Sequence, residues 1–163
     1  MIERRTDALT GEEVVLVSGR QDRPNLPPGC PFCVGGIEAP DPYDVKAFPN
    51  RWPPLAEGRA EVVLYTSDHD ATFSSLTQGE ATKVVDLWAE RTTALGSYDD
   101  VDYVLVFENR GPEVGATIAH PHGQIYAFPD VPPAAARELD ADRPCPLCAP
   151  ADDELVVDHA DGW

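Results

Sequence analysis

Apolar positions fall into a few well-separated patterns along the chain. After the turn pair Thr10-Gly11, Glu13 to Ser18 is a Val-rich run that reads as a strand. Ala60 to Ser67 reads as another strand, and it delivers the chain into the loop Asp68-His69-Asp70. Thr77-Gln-Gly-Glu80 has the form of a capping box, in which a threonine and a glutamate three residues later each satisfy the other's backbone N–H. Beyond it Ala81, Val84, Val85, Trp88 and Leu95 recur at helical spacing, predicting a scaffold helix that buries this face and ends near Gly96. A buried strand follows from Asp102 to Glu108, then a Gly-rich loop, then a short strand from Gln124 to Phe128. A short helix is expected near Ala134 to Leu139, and a strand from Leu155 to Asp158. Residues 24–60, rich in Pro and Gly, show no sustained period and read as irregular structure.

The loop between the last two central strands concentrates the candidate chemistry. It contains Asn109-Arg-Gly, then Gly115 and Thr117, then His120-Pro-His-Gly-Gln124. Side chains alternate sides on an extended backbone, so His120, His122 and Gln124 are expected to project from one side. Gly111, Gly115 and Gly123 let backbone N–H groups approach a ligand closely, as suits an anion. A neutral imidazole is a competent nucleophile near pH 7. His-x-His alone is equally a metal pair or a structural pair.

Composition narrows the classes. The chain has 163 residues, 42% hydrophobic and 25% charged, enough for one domain with a real core. No run of about eighteen apolar residues occurs, so no membrane helix is expected. No apolar segment follows Met-Ile-Glu-Arg-Arg, so a cytoplasmic protein without a signal peptide is expected. A net charge of −17, with Lys46 and Lys83 the only lysines, argues against a nucleic-acid partner. It fits either a strongly solvated surface or adaptation to high salt, where screening relieves self-repulsion. Against that background each arginine near a ligand site counts. Arg20 and Arg23, at the end of the first Val-rich strand, read on their own as surface loop residues.

Two similar cysteine pairs, Cys30-Pro-Phe-Cys33 and Cys145-Pro-Leu-Cys148, read in a cytosolic chain as metal or redox groups before disulfides. Spacing alone favours a ribbon of all four cysteines. Between the pairs, Phe48 and Asn50 offer a ring able to stack on a planar group and an amide able to hydrogen-bond one. An aromatic plug over the core is the alternative for Phe48 and Trp52.

Asn109-Arg-Gly, Thr117 and His120-Pro-His-Gly-Gln124 together resemble the active-site segment of the galactose-1-phosphate uridylyltransferases, in the histidine-triad superfamily. The resemblance covers nearly all of this chain but about the first half of a typical member. It implies an α+β fold, a mainly antiparallel sheet with a flanking helix, forming one N-terminal domain over 1–163. Residues 24–60 would then be a metal and uridine loop, and 140–163 the start of a link to a second half. His122 is implied as the nucleophile that takes the uridylyl group of UDP-glucose and passes it to galactose-1-phosphate. The carbonyl of His120 would hold its tautomer, with Gln124, Thr117 and the amides around Gly115 on the phosphoryl oxygens and Asn109 on ribose or phosphate. Arg20 and Arg23 would approach the diphosphate, and Phe48 and Asn50 the uracil and ribose. A structural zinc on Cys30, Cys33, His69 and His120 is implied in place of the four-cysteine ribbon. Cys145 and Cys148 would then belong to a possible second metal site, with Glu154 or His159 near. A homodimer, or a partner supplying the second half, is also implied. Two other readings stand beside it: a related phosphorylase using an ADP-sugar or a dinucleoside polyphosphate, and a zinc-stabilised half-domain without activity.

Overall fold

The computed structural model describes residues 2–11, 13–17 and 29–141, and the chain divides into two compact units, 1–132 and 133–163. Arg20, Arg23, Cys145, Cys148, Glu154, His159 and the strand expected over 155–158 lie outside the described residues. In the first unit, β1 (Ile2–Thr6) and β2 (Glu13–Val17) pair antiparallel as a hairpin, with Gly11 at φ +71 in its turn. Arg4 ties the hairpin to Asp130 at 2.7 Å.

The main sheet is antiparallel throughout. Its strands β3 (Lys46–Pro49), β4 (Ala60–Leu64), β5 (Tyr103–Phe107) and β6 (His122–Phe128) lie in the order β3-β4-β6-β5. Central position explains β4: all five of its residues are buried, because both of its faces are covered. Strand β3 was expected to be irregular. Pairing with β4 (Phe48 opposite Val62) makes it a strand, and Pro49 is tolerated because the strand is short and at the sheet edge.

Helix α1 (Gln78–Gly96) covers one face of this sheet. The expected capping box is formed, with Thr77 Oγ1 accepting from the Glu80 N–H and the Glu80 carboxylate accepting from that of Thr77. Val84 and Leu95 are fully buried against Val63, Tyr65, Ile125 and Ala127, with Trp88 packed beside them. Val85 is 49% exposed, contrary to expectation. On a 3.6-residue helix it sits about 100° round from Val84, off the stripe that 84, 88 and 95 share; Leu87 packs on the core instead. Arg91 reaches from α1 to Glu61 on β4, making a two-pronged ion pair at 2.7 and 2.8 Å that compensates a carboxylate 8% exposed.

The opposite face is covered by the Pro-rich segment. Phe32 and Ala39 bury against Val62 and Leu64, with Tyr43, Phe48 and Ile118 around them. The second unit contributes a short helix α2, Pro133–Leu139, close to the expected bounds. Among the described residues no helix is long and apolar enough to cross a membrane.

Candidate active site and metal cluster

Strand β6 positions the chemistry. Its odd-numbered residues (Gly123, Ile125, Ala127) are buried toward α1, and its even-numbered residues are half-buried on the other face. His122 stands opposite Leu64, and Gln124 opposite Val62 and Phe107. The strand begins two residues earlier than the sequence pattern suggests, so His122 is held by the sheet ladder rather than by a loop. Gly123 has its place for a packing reason. A Cβ there would run into the Tyr65 hydroxyl beneath the strand and the Phe107 carbonyl beside it.

His122 Nδ1 lies 2.7 Å from the backbone oxygen of His120. A carbonyl only accepts, so Nδ1 carries the proton and Nε2 the lone pair, the tautomer a nucleophilic imidazole requires. The Phe32 ring packs edge-on against the imidazole at 5.0 Å, and against that of His120 at 6.1 Å, so both histidines share one face as expected. His122 opens on a small cleft whose wall includes Glu108, Asn109, Arg110, Gly111 and Ile118. Arg110 is a cation in that wall which the sequence reading passed over. Its position inside Asn109-Arg-Gly, in so acidic a chain, was the available signal. Next to His122, the Tyr126 hydroxyl donates to Gln124 Oε1 at 2.8 Å, which turns the amide's N–H groups away from Tyr126.

Other expected site residues are placed differently. Gly115 (φ +79) caps a short turn, its N–H donating to Pro112 O and that of Ala116 to Gly111 O. Gly115 and Thr117 are exposed and do not form part of the cleft wall. Phe48 packs on Phe32 with ring centroids 5.9 Å apart. Asn50 Oδ1 accepts from the Trp52 N–H at 2.9 Å, closing a turn beyond β3. Phe48 therefore lies on the same face as His122, and both residues have structural partners.

Behind the cleft, Cys30, Cys33, His69 and His120 bring one donor atom each to within 4.8 Å of one another. The tight turn after Cys30 depends on Gly36, where a Cβ would fall 2.5 Å from Pro31 O and 2.7 Å from Cys30 O. His69 comes from the loop beyond β4, and His120 from just before β6. Cys33 Sγ lies 3.4 Å from His69 Nδ1 and 3.6 Å from His120 Nδ1. A tetrahedral ion with sulfur and nitrogen bonds of about 2.3 and 2.05 Å has S···N edges of about 3.6 Å, so the spacing fits. The protonation chemistry fits too. Burial, chiefly, pushes His120 below its ordinary value and keeps it a neutral ligand. Burial and then the neighbouring Cys30 push the Cys33 thiol up, so two thiolates together call for a cation.

Comparison with known proteins places the chain among similar folds and sequences. The family model described as "Galactose-1-phosphate uridyl transferase, N-terminal domain" matches residues 39–132. A galactose-1-phosphate uridylyltransferase of Thermotoga maritima is 39% identical over 91% of this chain and 55% of its own length. One from Streptomyces lividans is 46% identical over 84% of this chain and 41% of its own. A solved uridylyltransferase superposes with a TM-score of 0.73 at 33% identity, covering 85% of this chain and 49% of that one. An ADP-glucose phosphorylase of Arabidopsis thaliana, solved with bound ADP-glucose, superposes with a TM-score of 0.63 at 25% identity, over 86% and 53%. The chain spans about half the length of the relatives it matches.

Proposed function

The chain belongs to the galactose-1-phosphate uridylyltransferase family, within that family's N-terminal domain, and on that premise we propose that it carries the nucleotidyl-accepting machinery for exchange between UDP-glucose and galactose-1-phosphate. The contact that carries the reading is the 2.7 Å approach of His122 Nδ1 to His120 O.

In the proposed sequence, the Nε2 lone pair of His122 forms a bond to the α-phosphorus of UDP-glucose. The bond from that phosphorus to the bridging oxygen breaks, and its electron pair leaves with glucose-1-phosphate. The imidazole becomes cationic as it attacks, and the Nδ1–H···O=C contact stabilises that charge. A phosphate oxygen of galactose-1-phosphate then takes the uridylyl group and returns the imidazole to its neutral form. The leaving group is a stable phosphate anion in the first half and a neutral imidazole in the second, so neither needs a proton. Gln124 suits this: an amide N–H can hydrogen-bond a phosphoryl oxygen, but an amide cannot activate water, so the intermediate waits for a sugar phosphate. Asn109 and Arg110, in the cleft wall, offer a hydrogen bond and a positive charge to the diphosphate. Contacts to the acceptor sugar are assigned to the family's second half, in the same polypeptide or a partner, and a homodimer is the assembly we expect.

We read the ion of the cluster as zinc, held by Cys30, Cys33, His69 and His120. With four protein ligands it would have no open position and would serve as a brace. Reduced thiols in such a site suit a reducing compartment, the cytoplasm.

Incubation with UDP-glucose followed by intact-mass measurement tests the proposal. One uridylyl adduct is expected on the wild-type chain and none on His122→Gly. An adenylyl adduct formed from ADP-glucose in preference would move the substrate toward that of the phosphorylase relative, and no adduct from either would leave a zinc-braced half-domain.

A further inference from the structure

Tyr43 is a residue that neither the motif nor the cleft accounts for. Its hydroxyl lies 2.6 Å from Phe32 O, 3.1 Å from Thr66 O and 2.9 Å from His120 Nε2, and His120 Nε2 itself lies 2.8 Å from Thr66 O. His120 is completely buried, so no solvent substitutes for any of these partners.

Proton counting leaves one arrangement. Phe32 O and Thr66 O can only accept, and the phenol has one proton. If Nε2 of His120 lacked a proton, its close contact with Thr66 O would set two lone pairs against each other. Nε2 therefore carries the hydrogen, shared between Thr66 O and the Tyr43 oxygen. The Tyr43 proton goes to its nearest acceptor, Phe32 O. The lone pair of His120 is thereby left on Nδ1, the atom that faces Cys33 Sγ at 3.6 Å.

We propose that Tyr43 is the positioning residue of the metal centre. One hydroxyl grips both arms of the cluster: the carbonyl of Phe32, within the Cys30-Pro-Phe-Cys33 turn, and the imidazole of His120, 87 residues further along the chain from Cys33. The Thr66 carbonyl fixes the tautomer in which Nδ1 is the ligand, and Tyr43 holds the ring at the angle the ion needs. Through the His120 carbonyl, which accepts from His122, the same grip reaches the reactive imidazole. The inference rests on the reading of the four-residue cluster as a metal centre.

Two measurements on the full chain test it. Zinc and cobalt(II) affinities, by competition with a chromophoric chelator, are expected to weaken about 10- to 100-fold in Tyr43→Phe, the range typical when a partner of a ligating histidine is removed. The cobalt d–d absorption is expected to shift as well, because the His120 ring is no longer fixed. Tyr98→Phe, which removes a hydroxyl outside the cluster, should match the wild type in both. Equal affinity within about twofold and an unchanged cobalt spectrum in Tyr43→Phe would overturn the inference. Should that variant fail to fold, nitrogen NMR of the zinc-loaded wild type decides: His120 with hydrogen on Nε2 and metal on Nδ1 supports the proposal, and the reverse overturns it. A wild-type chain that takes up no ion overturns both this inference and the metal-centre reading. A wild type that takes up zinc while Tyr43→Phe matches it overturns this inference alone.

Discussion

The two faces of the main sheet are made by the same strands and do different work. Toward α1 lie Val63, Tyr65, Ile125 and Ala127 with Val84 and Leu95, all at most 2% exposed. Toward the Pro-rich segment lie His122, Gln124 and Tyr126, half-buried, backed by Phe32, Val62 and Leu64. Along β6 the two sets interleave residue by residue. A period of two lets one strand stabilise the domain with its odd positions and present chemistry with its even ones. The covering layers differ accordingly. A helix covers the first face by apolar packing. The second is covered by irregular chain whose order depends on a cysteine turn, a half-buried tyrosine and two histidines.

If the division holds, substitutions on the two faces should have opposite signatures. The largest effect is expected at His122. His122→Gly should lower uridylyl labelling by at least about a thousandfold, as loss of a nucleophile does, while the melting temperature stays within a few degrees of wild type. A comparable loss of folding would show that His122 itself stabilises the domain. Next comes the metal. His69→Ala should abolish stoichiometric zinc and lower the melting temperature by about 10 °C or more, since the energy of a structural ion is folding energy. Full zinc content in that variant would favour the four-cysteine alternative. On the helix face, Leu95→Ala should cost about 2–5 kcal/mol in denaturant unfolding, with labelling per folded molecule unchanged. Altered labelling would show that the faces are coupled. The smallest effect belongs to the cap: Thr77→Ala should cost about 1 kcal/mol and leave labelling untouched.

Several elements were legible because their signals are local. Thr77 and Glu80 announce the start of α1 by chemistry between residues three apart, and β4 and β5 announce themselves by composition. Val85 misled because a Val pair at 84 and 85 does not say which member faces inward; the angle of the helix on the sheet settles that. Strand β3 was missed because four residues ending in proline have no pattern of their own, and the unpaired edge of β4 makes them a strand. Arg110 and Tyr43 were missed for a similar reason. Neither type at its position is unusual until the cleft and the cluster assemble around it.

What the sequence determined by itself was the motif and its tautomer logic. His-Pro-His-Gly-Gln on extended backbone places a carbonyl two residues before His122, a relation that needs no distant partner. Tertiary structure alone decided which donors meet. Cys33, His69 and His120 are separated by 36 and 87 residues from the cysteine, and β-sheet pairing brings their ligand atoms within a metal's reach. Spacing along a chain reports only neighbours a few residues apart. Convergence of distant donors is set by strand order and register, which arise when the whole sheet closes over its core.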